Sequence, residues 1–194
     1  MKKSEIIKWS TTLMQVRETG AVFDMVVEEF EEFNIKSFVS EGVRSCLVST
    51  KTHQEMSFKV ILNAHLDVVP GSDDQFAPFV KDGRLYGRGA YDMKAAAAVE
   101  ILVFKELADK VSYPLGLQLV TDEEVGGFKG TKYQVDQGVR AEFIVVGEPT
   151  NLDIGHKAKG VLWLKIVFKG ESAHGAYLCR ARVLCGRWRS FWKD

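Results

Sequence analysis

Val60-Ile61-Leu62-Asn63-Ala64-His65-Leu66-Asp67-Val68-Val69-Pro70 begins as an apolar run and ends in a histidine and a carboxylate two positions apart. A short apolar run of this kind reads as a buried strand. Side chains at i and i+2 of a strand point to one face, which sets His65 and Asp67 side by side. A metal-binding imidazole is usually held by a carboxylate on its other nitrogen, which fixes its tautomer. The pair can therefore supply a ligand and its orienting group, or form an ordinary hydrogen-bonded pair at a strand end. The rest of the chain has to decide between them.

Working outward, two more apolar runs end in acids. Residues 115–121 read as a buried strand and lead into Asp122-Glu123-Glu124, with Gly126, Gly127 and Gly130 marking a turn before a short helix. Residues 143–146 lead into Gly147-Glu148-Pro149-Thr150. Between the first two runs, a loop rich in Pro, Gly and Asp (70–78) precedes Gly87-Arg88-Gly89-Ala90-Tyr91-Asp92-Met93-Lys94. That stretch opens an alanine-rich helix over about residues 94–109. Upstream, residues 4–33 read as two helices broken at Gly20, with Glu28, Glu29, Glu31 and Glu32 as a solvated face. Short strands are expected at 35–39 and 43–49, and His53 at the surface. Strands alternating with helices give an α/β sandwich around a mostly parallel or mixed sheet.

The polar residues follow one rule. His65, Asp67, Glu123, Glu124 and Glu148 each sit just after an expected strand, and Asp92 sits at a helix entrance. Ligand crevices in open α/β sheets form outside the carboxyl ends of the strands, so one site can use all of these residues. Adjacent carboxylates repel unless something positive lies beside them. One can ligate a metal while its neighbour holds the proton of a water that the metal has acidified. A solvated acidic loop is the alternative for Asp122-Glu123-Glu124 taken alone.

Composition narrows the classes. The chain has 194 residues, 46% apolar and 27% charged, with a formal charge of zero, which suits a globular domain and gives no global field toward nucleic acid or membrane. No apolar segment reaches membrane-spanning length, and no long apolar run follows the basic start, so no secretory signal is expected. Cys46, Cys179 and Cys185 make no disulfide framework, and a reducing cytoplasm is the expectation. Gly87-x-Gly89 does not continue into a dinucleotide loop, because Asp92 stands where the third glycine belongs. A serine-nucleophile elbow is absent.

Ala64-His65-Leu66-Asp67-Val68-Val69-Pro70, Gly87-Arg88-Gly89-Ala90-Tyr91-Asp92-Met93-Lys94, Thr121-Asp122-Glu123-Glu124-Val125-Gly126-Gly127 and Gly147-Glu148-Pro149-Thr150 stand in the order and spacing of one family. The chain, over roughly residues 3–177, resembles the co-catalytic zinc amidohydrolases and peptidases. These include acetylornithine deacetylase, succinyl-diaminopimelate desuccinylase and glutamate carboxypeptidase. The resemblance implies a mixed-sheet α/β sandwich catalytic domain of the phosphorylase/hydrolase type (1–157), here incomplete, and the start of a small α+β dimerisation domain (158–177). It implies that His65 binds one metal with Asp67 orienting it, and that Asp92 bridges both metals, often through a cis peptide to the next residue. Glu148 joins the first metal and Glu124 binds the second. Glu123 is the general base toward the bridging water and later returns a proton to the leaving amine. His174, in Gly170-Glu171-Ser172-Ala173-His174-Gly175, reaches the active site of the partner subunit in a homodimer and helps hold the oxyanion. Zn²⁺ is the implied metal, two per site, with Co²⁺ or Mn²⁺ as substitutes.

The implied substrate is a small N-acyl amino acid or a short peptide, with deacylation favoured by the Gly-Arg-Gly-Ala-Tyr-Asp-Met-Lys form. No nucleic-acid or membrane partner is expected. Family members run far longer, and their last histidine ligand to the second metal has no counterpart here. Residues 178–194, with two cysteines, two tryptophans and four arginines, read as a non-native basic and aromatic tail on a truncated member. The expectation is one tight zinc site, one weak one and activity that is low or absent, with a catalytically inactive binding module as the rival reading.

Overall fold

Two helices, α1 (Lys3–Gln15) and α2 (Thr19–Glu28), precede a hairpin of β1 (Asn34–Ser40) and β2 (Val43–Ser49). Then come β3 (Ser57–His65), the short strands β4 (Phe79–Lys81) and β5 (Arg84–Tyr86), and helix α3 (Lys94–Leu107). Strand β6 (Leu115–Val120), helix α4 (Thr131–Asp136) and strand β7 (Arg140–Val146) complete the order. The computed structural model describes residues 2–151 and 153. The expected dimerisation segment (158–177) and tail (178–194) lie outside the described residues.

The main sheet is mixed, in the order β1-β2-β6-β3-β7. The β1–β2 and β2–β6 pairs are antiparallel, whereas β3 runs parallel to both β6 and β7. Every residue of β6 is buried, as a central strand covered on both faces requires. Residues of β3 divide between two cores. Leu62 and Ala64 join Leu117, Leu119, Val22, Phe23, Ala97 and Ile101 on the face covered by α1, α2 and α3. Ile61 and Phe58 join Phe38, Leu47 and Val139 on the other face, with Tyr133 of α4 packed against them. Alanines at 97 and 98 let α3 lie close to the sheet, and Phe104 closes its far end against Phe30 and Phe33, with ring centroids 6.0 and 5.2 Å away.

A buried polar relay docks α4. Asn63 Nδ2 donates to Gln118 Oε1 (2.7 Å), Gln118 Nε2 donates to Gln134 Oε1 (3.0 Å), and Gln134 Nε2 donates to the Cys46 carbonyl (3.4 Å). Because these amides would cost several kcal/mol if left unpaired in the core, the relay fixes which face of α4 meets the sheet.

Three details depart from the sequence reading. The helical break falls at Val16–Glu18, and Gly20 sits inside α2. There its carbonyl accepts a hydrogen bond from Arg44 Nη2 at 2.9 Å. Residues 79–86 form a hairpin that the loop expectation passed over. Its turn residues Asp82 and Gly83 have φ of 51° and 74°, the left-handed pair that a two-residue hairpin turn needs. His53 is half-buried and not at the surface, because its ring packs on Phe58 at 4.7 Å.

Candidate metal centre

Parallel pairing of β3 with β6 and β7 brings three carboxyl ends together. His65 pairs with Val120 and Asn63 with Val146, and the chain continues from each strand into an acid. Leu66 N–H still bonds to the Val120 carbonyl at 2.9 Å, so the ladder holds the first residue past the strand. Asp92 enters from the side, two residues before α3 begins. The tight approach to it depends on Gly89 (φ 82°), where a Cβ would lie 3.0 Å from the Lys94 side chain.

His65 is the buried hub, 1% exposed. Its Nε2 lies 2.9 Å from Asp92 Oδ1, 3.6 Å from Glu148 Oε1 and 3.9 Å from Glu123 Oε2. One ligand atom each from His65, Asp92 and Glu148 lies within 4.8 Å of the others. On the opposite side of the ring, Nδ1 sits 2.9 Å from the Asp67 main-chain carbonyl and 3.5 Å from its carboxylate. A carbonyl accepts only, so Nδ1 carries the proton and Nε2 is the nitrogen that faces the acids.

Asp67 has a second task. Its carboxylate oxygens accept the backbone N–H groups of Glu123 (3.3 Å) and Glu124 (3.0 Å), which start a short 3-10 turn. Glu124 Oε1 in turn accepts the Val69 N–H at 3.3 Å. The loops after β3 and β6 are thus bonded to each other in both directions.

The electrostatics are those of an anion-rich pocket short of positive charge. Burial works against a charged His65, but the Asp67 hydrogen bonds and charge, together with Glu148, outweigh it and push the imidazole up to about 9. Burial also raises Glu123 and Glu148; His65 opposes this, and the neighbouring carboxylates add to it. A divalent cation among these groups would relieve the repulsion, and an imidazole nitrogen with two carboxylate oxygens is a donor set that holds one. The residues present fit a metal.

Of the residues expected at the site, Asp67, Asp92, Glu123 and Glu148 gather around His65, the Glu124 side chain bonds to the Val69 N–H on the adjoining loop, and His174 lies outside the described residues. No peptide bond among the described residues is cis, so the Asp92–Met93 bond has the ordinary trans form of a non-proline peptide. Two buried charged groups escaped the sequence reading. Lys94, fully buried, donates from Nζ to the Val16 carbonyl at 2.6 Å and is held down to about 8 by burial, against the pull of Asp67. Glu100 is 7% exposed, with neither carboxyl oxygen paired. Its signal was there in the spacing, since 93, 97, 100 and 104 share one helical face and the other three are apolar.

A mixed α/β sheet with an imidazole and carboxylates at its strand ends defines a candidate metalloprotein centre. Residues 61–179 match the model of peptidase family M20/M25/M40, and the chain belongs to that family. Succinyl-diaminopimelate desuccinylase of Acidovorax ebreus (strain TPSY) is 36% identical over 141 residues, covering 63% of this chain and 36% of that protein. The protein of that name from Sulfurimonas denitrificans is 30% identical over 191 residues, covering 91% of this chain and 52% of that one. An M20 family metallo-carboxypeptidase from Sulfolobus solfataricus shares the fold with a TM-score of 0.56 at 17% identity, over 76% of this chain and 37% of that chain. This chain spans about half or less of the length of these relatives.

Proposed function

We propose that this chain carries the catalytic half-site of a zinc-dependent amidohydrolase that deacylates a small N-acyl amino acid. The observation that carries the reading is the meeting of His65, Asp92 and Glu148 within 4.8 Å, with Glu123 reaching the same imidazole nitrogen. His65, Asp92 and Glu148 are the residues that would hold a first metal, and Asp92 with Glu124 a second, weaker one. Bound there, zinc supplies the charge that polarises a scissile carbonyl and acidifies a water.

The chain's own residues do the rest. Glu123 takes the proton of the attacking water and returns it to the leaving amine. Burial lifts its carboxyl toward the range where it can both accept and release a proton. Asp67 orients His65 through Nδ1 and presents Glu123 through the backbone. Two curated relatives are named desuccinylases, which supports an acyl group on an amino acid as the substrate class. By the family pattern the protein works in the cytoplasm as a homodimer. His174 of one copy then serves the site of the other, while residues 178–194 take no part.

The test joins a zinc titration of the metal-stripped protein to an amidase assay. One tight ion that disappears in His65→Ala, with activity that disappears in Glu123→Ala, supports the reading. Tight binding without activity in the wild type makes the chain a metal-binding module. Absence of any tight ion overturns the site itself.

A further inference from the structure

Asp122, Glu123 and Glu124 are consecutive acids, yet they face different ways. Glu123 brings its Oε2 to 3.9 Å from His65 Nε2, and Glu124 Oε1 accepts the Val69 N–H beside it. Asp122 turns under the loop and is 3% exposed. Its Oδ2 accepts the Lys129 N–H at 2.8 Å, and its main-chain carbonyl accepts the N–H groups of Gly127 (2.8 Å) and Val125 (3.3 Å). Its Oδ1 is buried without a hydrogen-bond partner and occupies the space where a Cβ on Gly130 would sit. Gly126 and Gly127, with φ of 111° and 68°, bend the chain back so that these groups can meet.

The loop carrying Glu123 and Glu124 is therefore held at both ends by carboxylates. Asp67 takes its first N–H groups and Asp122 its last. A loop fixed at one end only would let the Glu124 side chain sample positions away from the centre, and metal sites lose affinity when the groups behind a ligand are removed. We propose that Asp122 is a positioning residue that sets Glu123 and Glu124 over the metal centre by pinning the far end of this loop. The inference rests on the roles given above to Glu123 and Glu124.

Two readouts test it on the full chain. Backbone hydrogen exchange of the metal-free protein reads the clamp directly at Lys129, the amide that the Asp122 carboxylate holds. A zinc titration resolved into first and second ions reads its consequence. In Asp122→Ala the Lys129 amide exchanges at least about tenfold faster, and the second ion binds about tenfold more weakly. The first ion, held by His65, Asp92 and Glu148, stays within about twofold. Asp122→Asn keeps an acceptor oxygen and stays near wild type. Gly130→Ala, which displaces the same carboxylate, reproduces the alanine variant and carries the comparison if Asp122→Ala does not fold. Unchanged exchange in both disrupting variants overturns the clamp, as does equal weakening of both ions. A wild type that binds no second ion refutes the role given to Glu124, and the exchange comparison still decides the clamp.

Discussion

The Asp67 carboxylate accepts the backbone N–H of Glu124 at 3.0 Å and that of Glu123 at 3.3 Å, while the Asp67 carbonyl holds His65 Nδ1. One residue therefore fixes both the imidazole and the acids opposite it. Two N–H donors need two acceptors, and Asn offers one oxygen and an amide that cannot accept. Asp67→Asn is expected to lose one charge-assisted bond and about 1.5–3 kcal/mol of stability. Its first-ion affinity should fall about 10–100-fold, as for other groups that orient a ligand. Urea unfolding and zinc titration measure the two losses. A variant that keeps wild-type metal affinity would show that the backbone carbonyl alone orients His65.

Metal should stabilise the chain in proportion to its occupancy. At zinc one hundred times its dissociation constant the gain is about 2.7 kcal/mol, if the unfolded chain binds none. His65→Ala removes the only nitrogen of the donor set and is expected to abolish the zinc-dependent rise in Tm. Asp67→Asn only reduces it. Thermal scans with zinc and with chelator separate the two. A full rise in the His65 variant would place the ion elsewhere.

How much of this was legible in the sequence depends on which interactions are local. Strand β3 and helix α3 read cleanly, since an apolar run and an alanine-rich stretch declare themselves within ten residues or so. The acids after β3, β6 and β7 were visible as a pattern, but their convergence was not. It comes from β3 lying between two strands more than fifty residues downstream, a pairing that no local signal encodes. Gly20 misled because a glycine can break a helix or sit in its first turn, and here it does the second, its carbonyl bonded to Arg44 of β2. The β4–β5 hairpin was missed because its strands have three residues each and no buried face, leaving Asp82-Gly83 as the one cue. The second role of Asp67 was hidden for the same reason as the convergence, since its partners lie 56 and 57 positions away.

Glu100 is expected to make stability fall with rising pH. Burial, followed by the charge of Glu148, pushes its carboxyl from 4.5 up to about 8. Between those values the folded chain keeps the proton that the unfolded chain has released. The native state then binds more protons, and the free energy of unfolding drops as pH climbs through the window. The slope is at most about 1.4 kcal/mol per pH unit. Glu100→Gln stays neutral and removes it, so the variant should match wild type near pH 4.5 and exceed it by on the order of 4 kcal/mol near pH 8. Urea midpoints of the metal-free proteins across that range give the answer. Parallel curves for the two would mean that Glu100 is ionised and paired in solution.

Strand β7 predicts association. It pairs with β3 on one side, and among the described residues nothing pairs with its other edge. Phe143, Ile144, Val145 and Val146 are 60%, 55%, 50% and 49% exposed, so the bare run includes both faces of the strand. Ile144 lies beside Ile61 and Val145 beside Leu62, yet the helices that bury those neighbours stop short of β7. The charge nearest the run, Glu142, is already paired with Lys59. An edge with no lysine, proline or bulge along this run is open to another strand. Light scattering of the isolated chain should show association that grows with concentration in the micromolar to millimolar range. The double variant Ile144→Lys and Val145→Lys places a charge on each face and should reduce the association severalfold. Unchanged far-UV circular dichroism would confirm that the strand itself survives. A wild-type chain that stays monomeric at about 100 μM would mean that β7 is already covered.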